Sequence, residues 1–137
     1  MSAATAFALA SVLHLGFQAT VTLLVYPALA RVGRELPDDW PEAHRRHSQG
    51  IVPLVAVTYG VLLATGVWVL TGPVTGWEWL AGAGAVGAAL TTALGAAPTH
   101  GRLSSPTTAL LHRLLVLDRV RLAFAALGAA AAVLAAL

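Results

Sequence analysis

The residues of this chain whose types could do chemistry fall into two tiers. His14 and Gln18 lie one helical turn apart within the first apolar stretch, so they share a face. Asp118 and Arg121 lie three residues apart in the last apolar stretch, within pairing distance on a helix. Tyr59 reaches a similar depth in the second stretch. An imidazole exchanges protons near neutral pH, and a guanidinium can stabilise an enolate or phenolate that develops during a reaction. This tier therefore reads as a catalytic set. His14 is the buried base or a ligand, Arg121 is the anion-stabilising group, Asp118 is the catalytic residue that can pair with it, and Gln18, Tyr59, Tyr26 and Arg102 contact the substrate. The second tier is a histidine group: His44 and His47 at i,i+3, His100 beside Arg102, and His112. Neutral imidazoles from different elements are natural ligands for Zn, Cu, Fe or Ni. His44, His47 and His100 are thus the candidate metal ligands, with Cu, Fe or Zn as the cofactor, or the gate of the site if it uses no metal.

Each residue has a plainer reading. His112 sits beside Arg113, as a solvated residue at a membrane interface does. Asp118 with Arg121 can be a structural ion pair. Tyr26 and Tyr59 can hold helices together, and His14 can serve as an interhelical hydrogen bond. Arg119 either reaches to the interface or pairs with Asp38, Asp39 or Glu42.

The elements that must position these residues follow from composition. Of the 137 residues, 58% are hydrophobic and 10% are charged. A soluble domain is about one quarter charged, so lipid is the natural solvent of this surface. At about 20 residues per crossing, four helices use up the chain and leave no second domain. The expected fold is an all-α bundle of four transmembrane helices, over residues 3–30, 41–70, 77–97 and 107–137. A signal peptide competes for the first stretch, because Ala28-Leu29-Ala30 resembles a cleavage site. The stretch is longer than a usual signal core, and no positive charge precedes it. Asp38 or Asp39 can cap the second helix with Pro41 in its first turn, and Pro53 is expected to kink it. Trp77 and Trp79 suit an interface. Gly82, Gly84 and Gly87 suit close packing, either within the chain or in a homo-oligomer.

All eight basic residues are arginines. Arg31, Arg34, Arg45 and Arg46 lie between the first and second apolar stretches, and Arg102, Arg113, Arg119 and Arg121 between the third and the middle of the fourth. An even number of crossings puts both groups at one end of the bundle. Cytoplasmic loops collect arginine, so the expected protein is multi-pass in a bacterial cytoplasmic membrane, with polar loops cytoplasmic and both termini outward. Glu78 is the single outward acid. Arginines beside apolar spans suit anionic lipid headgroups better than nucleic acid. There is no cysteine, which excludes disulfides and thiolate metal sites. No HExxH, P-loop, GxSxG or CxxC occurs.

Three segments carry a resemblance. Tyr26-Pro27-Ala28-Leu29 ends the first helix ahead of a loop with Trp40. Pro98-Thr99-His100-Gly101-Arg102-Leu103 follows the third, and Asp118-Arg119-Val120-Arg121 lies within the fourth. Together they resemble the anthrone-oxygenase-like group of small four-helix membrane proteins found in polyketide pathways. The resemblance implies an oxygenase or related oxidoreductive enzyme acting on a lipophilic aromatic or polyketide-like molecule. By position it extends to the His100/Arg102 loop and to Arg121.

The function expected from residues and resemblance together is an integral membrane enzyme. It oxidises or rearranges a small lipophilic substrate in a pocket that opens toward the cytoplasmic side. Two other classes compete. One is a small multidrug-type transporter or channel subunit, against which stands the lack of a midplane carboxylate in the first helix. The other is an accessory subunit of a larger membrane complex.

Overall fold

The computed structural model describes residues 1–137 and contains helices and turns only. Four helices are each long and apolar enough to cross a membrane: α1 Ala3–Glu35, α2 Trp40–Val69, α3 Gly76–Gly101 and α4 Thr108–Ala136. Short connections join them, so the helices alternate in direction. The Leu36–Asp39 and Arg102–Thr107 connections lie at one end of the bundle, and the Leu70–Thr75 turn lies with both termini at the other.

Helix ends differ from expectation where local chemistry outweighs composition. α1 continues through Arg31 and Arg34 to Glu35, since arginine is a good helix former even outside the apolar stretch. α3 takes in Pro98–Gly101, so His100 is helical and the loop begins at Arg102. Asp39 precedes α2, but its side chain makes no capping bond, and Pro41 sits in the first turn. The built cap is elsewhere. Thr75 and Glu78 form a capping box at the start of α3, with the Thr75 N–H donating to Glu78 Oε2 at 2.7 Å.

Prolines leave a mark on two helices. π-helical turns occupy Val21–Val25 and Thr91–Ala96, ahead of Pro27 and Pro98 respectively. Proline lacks an N–H and crowds the carbonyl four residues back, and widening the preceding turn relieves that clash. Pro53 has no such effect, and α2 runs through it as one α-helix.

Packing is uneven. α4 lies at the centre, against both α1 and α3. Its approach to α3 is backbone to backbone: a Cβ on Gly84 would lie 2.7 Å from Gly128 Cα, and one on Gly87 2.6 Å from the Phe124 ring. Gly84 and Gly87 of α3 are therefore used inside the chain, while Gly82 faces open space. α2 is the outlier, burying only Trp40, Leu62 and Val69. Two apolar clusters fill the bundle. Phe7, Ala8, Ala10, Leu62, Val69, Ala81, Ala131 and Ala132 form one toward the termini. Val21, Tyr26, Leu29, Ala30, Trp40, Leu103, Leu111 and Leu114 form the other toward the arginine-rich end. The buried polar residues His14, Gln18, Asp118 and Arg121 lie between them.

Candidate functional site

The centre of the site is Gln18, which is fully buried. Its amide Nε2 donates to Asp118 Oδ1 at 2.8 Å and reaches Thr22 Oγ1 at 3.2 Å, while its Oε1 accepts from Arg121 Nη2 at 2.9 Å. The direct ion pair, Arg121 Nη1 to Asp118 Oδ1, is longer at 3.5 Å. The i,i+3 pair expected within α4 thus exists, but it is tied to α1 through a neutral amide. The physical reason is depth. A charge in mid-membrane costs roughly 2.5–3.5 kcal/mol on insertion scales, and every additional hydrogen bond offsets part of that. The sequence alone suggests that Gln18 orients a substrate. Its amide is instead engaged by Asp118, Thr22 and Arg121, which makes it a structural clamp.

His14, one turn from Gln18 on α1, is also buried. Its ring packs on Tyr59 of α2, centroids 4.9 Å apart and tilted by 59°. The Tyr59 hydroxyl meets Thr92 Oγ1 of α3 at 3.1 Å. Thr92 lies in the π turn before Pro98, and it in turn donates to the Ala88 carbonyl at 2.8 Å. Nothing in the sequence singles out Thr92, because its role depends on which face of α3 meets α2.

At the arginine-rich end His44, His47 and His100 come together, as expected, but not as a ligand set. They form a stack: His44 on His100 with centroids 5.0 Å apart, and His47 on His100 at 5.4 Å, with planes within 14° of parallel. Trp40 continues the stack over His44 at 5.1 Å, and its indole N–H donates to the Leu103 carbonyl at 2.7 Å. His44 Nε2 and His100 Nδ1 are also engaged with each other at 2.9 Å. No three His, Asp or Glu side chains are placed to hold a metal ion. The reading of His44, His47 and His100 as joint metal ligands is corrected on this geometry. Tyr26 is buried beside both His47 and His100, with centroid distances of 5.5 and 5.8 Å. Trp40, which the sequence marks only as a loop residue, is the end plate of the stack.

Other candidates lie outside. Arg102 and His112 are exposed. Glu42 pairs with Arg45 and Arg46, its nearest helical neighbours, and leaves Arg119 exposed without an ion partner.

Five buried side-chain atoms have no protein partner: His14 Nε2, His47 Nε2, His100 Nε2, Asp118 Oδ2 and Arg121 Nε. All belong to the polar interior just described, and no other buried side-chain nitrogen or oxygen of the molecule shares the condition. Left dry, each would cost roughly 1–3 kcal/mol. Five such penalties rival the about 5–15 kcal/mol by which a whole domain is stable.

The main cavity lies apart from the stack. A cleft of about 460 Å³ runs between α2 and α3, lined by Phe7, Tyr59, Leu62, Val69, Trp79 and Val86 among others, with Glu78 at its rim. It occupies the half of the bundle that carries the Leu70–Thr75 turn. The cleft thus lies away from the arginine-rich end, where the sequence places the pocket; Trp40 and the histidine rings line that end. The cleft exists because α2 is so loosely packed against α3.

Four antiparallel helices of membrane-spanning length, a buried charged network and a lateral apolar cleft define a multi-pass integral membrane bundle. No family model, curated protein or solved structure matches the chain.

Proposed function

We propose that this protein is a membrane enzyme that rearranges or oxidises a small lipophilic molecule, taken from the bilayer into the cleft between α2 and α3. The observation that carries this reading is Tyr59, which lines the cleft and packs on His14, whose Nε2 no protein group engages. An apolar cleft with one or two convergent polar groups is the usual form of a small-molecule site. His14 lies behind Tyr59 and does not itself line the cleft, so the reaction requires the Tyr59 ring to turn aside. His14 Nε2 then takes a proton from an acidic C–H or O–H of the bound molecule, and the electron pair moves onto a carbonyl or ring to give an enolate or phenolate. Return of the proton at another atom completes a rearrangement. The resemblance to anthrone-oxygenase-like proteins supports a hydroxy- or keto-aromatic substrate, for which deprotonation also prepares oxidation by dioxygen. Arg121 acts at one remove, since its Nη atoms are held by Gln18 and Asp118. The cytoplasmic membrane, with the arginine-rich loops inside, is the location that the charge asymmetry supports.

Two variants test the reading against a panel of hydroxy- and keto-aromatic compounds, with Trp79 in the cleft as the fluorescent reporter of binding. Gly82 lines the cleft with open space at its Cβ position, so Gly82→Leu fills the cleft without disturbing the bundle. It is expected to weaken binding by tenfold or more, about 1.4 kcal/mol. His14→Phe keeps a ring against Tyr59, so it is expected to retain binding and abolish conversion of the compound. Binding and conversion unaffected by both changes sink the proposal. Passage of an unconverted compound across proteoliposomes makes the protein a carrier instead.

A further inference from the structure

The five partnerless polar atoms belong to side chains that neighbour one another from the histidine cluster to His14. The series starts at the part-exposed His44, whose Nε2 meets His100 Nδ1 at 2.9 Å, and continues past the buried Nε2 atoms of His100 and His47. It passes Tyr26, which packs on both rings. Arg121, whose side chain lies against Tyr26, and Asp118 come next, both bonded to Gln18, and His14 is one turn from Gln18 on α1. Hydrogen-bonding atoms alternate along the series: a strict donor at Arg121, a strict acceptor at Asp118, and rings that can be either. A molecule that both donates and accepts satisfies all of them, and water is the smallest such molecule. The two π turns lie alongside, Val21–Val25 next to Tyr26 and Thr91–Ala96 next to Thr99 and His100. Such turns gather at functional positions of helices.

Beyond His14 the character changes. The gap among Ser11, His14, Ala81, Ala125 and Gly128 has no room for a water molecule. Past it, α3 and α4 touch at Gly84 and Gly128, and the neighbouring Ala81, Ala88, Ala125 and Ala129 are buried and apolar.

We propose that the bundle holds an aqueous half-channel. Water enters at the His44–His100 end, reaches Arg121, Asp118 and His14, and is stopped there by the Gly84–Gly128 contact. The buried polar centre then exchanges protons with one face of the membrane only. This inference stands on the partnerless atoms and the sealed half, and it does not depend on what occupies the α2–α3 cleft.

Hydrogen exchange of arginine side chains tests it, on the whole protein in lipid nanodiscs with the arginine Nε atoms labelled. Arg121 is buried and the other seven arginines are exposed, so its Nε–H is the one signal that reports on the interior. On transfer to D2O that signal is expected to decay roughly a hundredfold faster than the backbone amides of Ala88 and Ala125 in the sealed half. His100→Phe sets an apolar ring in the stack and is expected to slow the decay about tenfold or more. His44→Phe carries the same expectation if His100→Phe does not fold. Decay as slow as that of the Ala88 and Ala125 amides means a dry interior and overturns the proposal. Fast decay that neither substitution slows means water enters elsewhere and overturns it equally.

Discussion

At the scale of single residues, Gln18 sets the value of the Asp118–Arg121 pair. The two charges sit 3.5 Å apart at their closest, and each makes its shorter bond to Gln18. Removing one member of a buried charged pair costs more than removing both, because the survivor keeps its desolvation cost without its partner. Arg121→Met is therefore expected to destabilise the protein by about 3–5 kcal/mol. The double change Asp118→Leu with Arg121→Met is expected to cost less than that single one. Unfolding in mixed micelles measures both, and a double variant at least as unstable as the single would mean that the charges do not depend on one another. The pairing of Asp118 with Arg121 is legible in the sequence, because i,i+3 neighbours on a helix meet wherever the helix goes. The bond to Gln18, 100 residues away, is not, because it requires that a particular face of α1 meet α4.

The contact between α3 and α4 is decided at the scale of the element. Glycine spacing in α3 suits a partner helix without saying which one. The structure separates three glycines by what a side chain would meet: Gly84 the Gly128 backbone, Gly87 the Phe124 ring, and Gly82 open space. Gly84→Ala is expected to push the helices apart and cost about 1–3 kcal/mol, the usual range for overpacking. Gly82→Ala is expected to be neutral, or to stabilise by up to about 1 kcal/mol through the better helix propensity of alanine. The same unfolding measurement compares them, and equal effects would remove the argument for a close backbone contact. Prolines also act by position within the element. Pro27 and Pro98 each follow a π turn, while Pro41 opens a helix and disturbs nothing.

For the whole molecule the question is which way the bundle sits. The arginines gather at the end with the Leu36–Asp39 and Arg102–Thr107 connections, and the Leu70–Thr75 turn near Trp68, Trp77 and Trp79 lies at the other. Arginine-rich loops stay cytoplasmic. The chain has no cysteine, so single cysteines report sidedness without background. In intact cells Thr71→Cys is expected to react with a membrane-impermeant thiol reagent, and Ser105→Cys only after permeabilisation. The opposite pattern would invert the topology and place the entrance of the half-channel outside.

The sequence alone determined four long apolar helices, the gathering of arginines at one end, and the depth of His14, Asp118 and Arg121. These properties depend on chain length, hydropathy and rise per residue, which are local quantities that lipid enforces. Tertiary structure alone decided that Gln18 is a clamp, that His44, His47 and His100 stack with Trp40, and that the open cleft lies at the end away from the arginines. In lipid there is little hydrophobic force between helices, and their rotation and pairing are set by shape and by a few polar contacts. Those terms depend on residues far apart in the chain, and the spacing within any one segment does not contain them.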